Sequence, residues 1–172
     1  MGYPIIRISR YAFDNIENAK GNLQKLKDLQ TEINLSKQNI IRTYRNVMIH
    51  NIPHLEYQYK IIKMESEIKE QEQILEAIKL SFVSNICFSF SYASELLFFE
   101  LSSDSDELPH RSRKYFREIS SIINSIDFQM NIPLFSIIPK LVEVESKLLS
   151  EDNRSKYMIL RMLLRDIKSK IG

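Results

Sequence analysis

One segment of the chain carries residue types that suit chemistry on a phosphodiester: Arg42-Thr-Tyr-Arg45-Asn46-Val-Met-Ile-His50-Asn-Ile-Pro53-His54. On a helix, Arg42, Asn46 and His50 stand at i, i+4 and i+8 and share one face, with Arg45 on the adjoining edge. An imidazole in the last turn of a helix meets the negative end of the helix dipole, which favours its protonated form, and histidine titrates near neutral pH. Cleavage of RNA without metal needs a base for the 2′-hydroxyl, an acid for the leaving oxygen and a cation for the phosphorane. His50 fits either of the first two roles. Arg45 fits the third, because its planar fork can hold two phosphate oxygens. Asn46 would orient the imidazole across one turn. Arg42 would position substrate, and His54 would add a second imidazole to the substrate-binding surface.

The run Arg45-Asn46-Val-Met-Ile-His50 resembles the R-x4-6-H signature of the HEPN superfamily (higher eukaryotes and prokaryotes nucleotide-binding). Asn46 is the polar residue that family prefers directly after the arginine, and Tyr44 and the following proline also look like its members. The resemblance implies a small helical bundle, commonly a homodimer, with the motif at the dimer cleft. It implies a metal-independent endoribonuclease of the kind found in toxin–antitoxin, abortive-infection and anti-phage systems. RNA would be the substrate, Arg45, Asn46 and His50 the catalytic set, and an antitoxin or a nucleotidyltransferase-like protein the partner. No cofactor is expected. The motif also lacks a carboxylate cluster that could hold a divalent ion, so no metal is expected.

The elements that would position this segment are helical throughout. The chain has 172 residues, only 3 Gly and 5 Pro, and none of the turn dipeptides that hairpins require. The expected fold is all-α: one bundle of five or six helices, residues 1–172, with two long antiparallel helices. Asp14 and Glu17 stand as in a capping box. From there Ile16, Leu23, Leu26, Ile33, Ile40, Tyr44 and Val47 form one apolar stripe as far as His50. Ile41, Tyr44, Val47 and Met48 are expected to face the core behind the motif. Pro53 disfavours helical geometry at Ile52 and predicts a turn there.

A second long stretch, 55–101, begins charged and ends apolar nearly all round. Its first half reads as part of an exposed hairpin arm spanning about 20–80. Its second half, Phe82 to Phe99, reads as the central helix or as a subunit interface. Periodicity does not say whether it breaks near Ser81. Beyond the Ser/Asp loop from Ser102 to Glu107, Tyr115, Ile119, Ile122, Ile123 and Ile126 predict an amphipathic helix. An irregular link then runs from Asn131 to Pro139. A short helix near Leu141 to Leu149 and a last helix carrying Tyr157, Leu160, Leu163, Leu164 and Ile167 complete the chain.

The formal net charge is +2, so the chain is no polycation. A basic run, Arg111, Arg113, Lys114 and Arg117, reads as a solvated helix face. The single cysteine, Cys87, cannot form an internal disulfide and reads as a small buried hydrophobe in a reducing compartment. Glu95 and Glu100 argue against a membrane span at Phe82 to Leu101, and a cytoplasmic protein is expected. Motifs for nucleotide P-loops, dinucleotide folds, zinc proteases and serine hydrolases are missing. Two other readings compete with the nuclease. One is a non-catalytic helical adaptor. The other is a nucleotide-binding regulatory module that keeps a HEPN-like fold without cutting.

Overall fold

A computed structural model describes residues 2–51, 54–102, 110–149, 153 and 155–171 of the chain. These residues form five α-helices: α1 (Gly2–His50), α2 (His54–Ser102), α3 (His110–Asn124), α4 (Ile138–Leu148) and α5 (Met158–Ile171). Short 3-10 turns occupy Phe128–Met130 and Leu134–Ile137. No strand occurs among the described residues, so the fold is all-α. The chain divides into two compact units: Met1–Asn22 with Leu80–Gly172, and Leu23–Lys79.

The helices depart from the sequence reading in identifiable ways. α1 begins at Gly2 and runs through Asp14 and Glu17 without interruption. Pro4 lies in the first turn, where a missing N–H costs nothing. The Asp14–Glu17 spacing is therefore an ordinary pair on a helix surface, and Glu17 meets Lys20 at 3.1 Å. α1 stops after His50 because Asn51 takes a left-handed conformation, φ 50°. Asn is one of the few residues that adopts it readily, and it commonly ends helices. Ile52 and Pro53, where the sequence predicts a turn, lie outside the described residues, as does the loop 103–109. α2 is one helix through Ser81. The predicted irregular link contains a 3-10 turn, and Pro139 sits in the first turn of α4.

In the first unit, α2 buries one side. Phe82, Ile86, Phe90 and Leu97 are fully covered, as are Ala12 and Ile16 of α1, Phe116 and Ile123 of α3, and Ile167 of α5. The rings of Phe90 and Phe116 stand 5.7 Å apart in a tilted pair, an arrangement that adds to area burial. α2 is long and apolar enough, by composition, to cross a bilayer; here one side of it, Phe82, Ile86, Phe90 and Leu97, is buried, while Leu80, Phe88, Phe98 and Phe99 are exposed. Polar side chains link the helices at the edge of that core. The Glu100 carboxylate accepts from the Ser112 N–H (3.2 Å) and from the Ser112 hydroxyl, tying the end of α2 to the start of α3. Lys147 of α4 donates to the Ser94 hydroxyl at 2.7 Å. Burial, with Glu100 nearby, pushes the Tyr157 phenol up from its ordinary value. Cys87 is half-buried rather than buried, with Sγ 3.8 Å from the Ser136 carbonyl. Burial raises its thiol pKa.

The second unit is a two-helix hairpin, the latter part of α1 against the first part of α2. Lys37 of α1 meets Glu72 of α2 at 3.0 Å. The buried apolar positions of α2 in this unit are Ile61, Ile68 and Leu75, seven apart. On α1 the least exposed positions after Ile33 are Ser36, Ile40, Thr43 and Val47, at alternating spacings of three and four. That is the pattern of a two-stranded coiled coil, in which each helix buries only a narrow seam.

Candidate functional site

The Arg45/His50 segment forms the last turns of α1 at the end of this hairpin. Arg42, Arg45, Asn46 and His50 are all exposed. Their side chains make no hydrogen bond or ion pair among the described residues. Arg42, Asn46 and His50 form one stripe, as their spacing predicts. Arg45 and His50 do not converge: five residues correspond to about 500° of rotation, which leaves them roughly 140° apart around the helix axis. In a single copy they point to different sides of α1. The side chain of His54 lies outside the described residues, as does that of His110.

The surface behind the motif differs from the sequence expectation. Ile41, Tyr44 and Met48 do not face a core; they are 52%, 47% and 81% exposed. The seam passes through Thr43 instead of Tyr44. Hydrophobicity alone selects Tyr44, whereas the alternation of three and four that continues from Ile33 and Ile40 selects Thr43. With one partner helix in this unit, an apolar side chain off the seam stays in water. Ile49, Leu55, Tyr59 and Ile62 add to the same exposed apolar end. Between the helices lies a shallow groove of about 420 Å³, lined by Tyr44, Val47, Met48, Tyr57, Ile61 and Ile62, with Gln58 and Glu65 at its edge. The sequence places Tyr44, Val47 and Met48 on the core face, so it misses them as a surface.

Of the residues that read as an aromatic interface, Phe82 and Phe90 are buried within the first unit, while Phe88, Phe98 and Phe99 are exposed. On α3, Arg111, Lys114 and Arg117 are exposed. Among the described residues, no group of three or more His, Cys, Asp or Glu gathers as a metal site would require. Comparison of the chain with protein families, with curated proteins and with solved structures finds no match.

Proposed function

We propose that the chain is a metal-independent endoribonuclease whose active site is completed by a second copy meeting it at the end of the hairpin. The observation that supports this most is the exposed, uncommitted set of Arg42, Arg45, Asn46 and His50 on the last turns of α1. It contains the cation, the amide and the imidazole that the reaction needs. The rotation between Arg45 and His50 calls for a second copy, so that an arginine of one chain can face an imidazole of the other. Exposed apolar groups beside the motif, with Met48 and Leu55 each 81% exposed, are surface such a contact would cover.

In the proposed reaction His50 takes the proton of the RNA 2′-hydroxyl as its oxygen attacks the adjacent phosphorus. Arg45 of the partner subunit neutralises the charge that builds on the phosphoryl oxygens. The bond from phosphorus to the 5′-oxygen breaks, that oxygen takes a proton from water, and protonated His50 returns its proton to the solvent. The products are a 2′,3′-cyclic phosphate and a 5′-hydroxyl. Such an enzyme would act on cytoplasmic RNA as a toxin or an anti-phage effector of the HEPN-like kind, held by an antitoxin or a similar partner protein.

The test is incubation of the purified chain with total RNA and with tRNA in EDTA, beside a His50→Ala control. Cleavage that persists in EDTA and disappears in the variant supports the proposal. Cleavage that needs magnesium, or that His50→Ala retains, opposes it. The apolar groove favours a second reading, a non-catalytic adaptor that seats an amphipathic helix of another protein. Wild-type protein that leaves RNA intact would point to it.

A further inference from the structure

The outer side of α2 in the first unit carries a pattern of its own. Ser81, Ser84, Phe88, Ser91, Glu95 and Phe98 stand at alternating spacings of three and four. All are exposed except Ser91, which is partly covered. That spacing is the seam of a helix that packs along another helix. The buried side of α2, with Phe82, Ile86, Phe90 and Leu97, already serves the core. The outer stripe is therefore a second seam, and no described residue fills it. It is also reachable: Phe88 and Phe98 are 52% and 57% exposed. Aromatic side chains left half in water on one stripe mark a contact surface. Glu95, in the middle of the stripe, has no hydrogen bond or ion pair among the described residues.

We infer that this stripe binds the same stripe of a second copy, with the two α2 helices antiparallel. The order of side chains along it selects both the occupant and the register. Ser91 lies opposite the partner's Phe88, Ser84 opposite the partner's Glu95, and Ser81 opposite the partner's Phe98. Every bulky group then meets a serine, so knobs enter holes and the helices can close on each other. Two-fold symmetry repeats each pair on the other side of the axis. A shift of one heptad in one direction would set Phe88 against Phe98, and in the other Ser81 against Ser91. A parallel pair would set Phe88 against Phe88 and bring two Glu95 carboxylates together. In the antiparallel register the Ser84 hydroxyl donates to the partner's Glu95 carboxylate, a charge-assisted bond that offsets its desolvation. A lipid surface fits less well, because it leaves that carboxylate unpaired among apolar groups. The contact is built from the first unit alone. It does not depend on the roles of Arg45 and His50 or on the end of the hairpin.

The experiment is sedimentation velocity of the full chain over a range of micromolar concentrations, with helix content checked by circular dichroism. All proteins carry Met48→Ser and Leu55→Ser, which strip apolar surface from the end of the hairpin and leave the α2 contact as the one measured. This background is expected to dimerise. Ser91→Phe sets two large side chains against each other, and Phe88→Ser leaves two small ones. Each should weaken association about tenfold or more, the usual size for overpacking or an emptied site. The double variant Phe88→Ser with Ser91→Phe exchanges large and small within the layer and should regain most of the lost affinity. That recovery is specific to a chain meeting its own copy in this register. A background protein that stays monomeric throughout, dimers indifferent to both single variants, or a double variant no tighter than the weaker single would overturn the inference. So would binding to phosphatidylserine vesicles that Phe88→Ser abolishes, which would give the stripe to a lipid surface.

Discussion

The two ends of α1 have similar apolar content and different fates. Between Ala12 and Ala19, the residues Ala12, Ile16 and Ala19 are completely covered. Between Ile40 and His50, no residue is buried, and Tyr44, Met48 and Ile49 lie in solvent. The difference comes from the number of neighbours. The first unit gathers several helices around one core, while the hairpin gives each helix one partner and one seam. Apolar side chains in that core therefore hold the fold. Those at the end of the hairpin do not, and are free to serve contact with something else.

Substitutions sharpen that contrast, and their effects should fall in order. Phe116→Ala, which empties a fully buried site against Phe90, should cost about 3–5 kcal/mol in denaturant unfolding. A loss below about 1 kcal/mol would mean that the first unit is not packed as described. Ile68→Ala, in the seam and still 8% exposed, should cost about 2 kcal/mol, at the lower edge for such truncations. Hydrogen exchange should place the loss in residues 23–79 and leave α3 protected. Ser112→Ala removes one of the two donors to Glu100 and should cost about 1 kcal/mol. Met48→Ser should change stability by no more than about 0.5 kcal/mol, since the side chain is 81% exposed. That limit applies at a concentration where the chain is monomeric. A large loss there would show that the end of the hairpin is packed within a single copy and would break the contrast. A loss that appears only as copies associate is what the proposed contact predicts.

Much of the fold is legible in the sequence because helices announce themselves locally. The scarcity of glycine, the seven-residue spacing of Ile61, Ile68 and Leu75, and the inward set of α3 all follow from periodicity and composition. Two features are not legible. The stripe of α1 moves from Tyr44 to Thr43 because the seam follows the geometry of one partner, which hydrophobicity does not report. The start of α1 lies before the apparent capping box because a capping pair is also a common surface spacing. At the candidate site, the shared face of Arg42, Asn46 and His50 can be read from spacing, and so can the divergence of Arg45. The exposure of the surrounding apolar groups cannot, since within the hairpin each helix has a single partner. On α2, the spacing from Ser81 to Phe98 is visible in the sequence, whereas its exposure is not, since the run is apolar nearly all round.

The central claim is that Arg45 of one copy works with His50 of another, and mixing two disabled variants tests it most directly. Arg45→Ala and His50→Ala are each expected to be inactive on RNA in EDTA. After the two are unfolded together and refolded, about half of the dimers should be mixed, and each mixed dimer should hold one intact site of two. The account predicts recovery of roughly a quarter of the wild-type rate. A mixture as inactive as its components, beside an active wild type refolded in the same way, would contradict it.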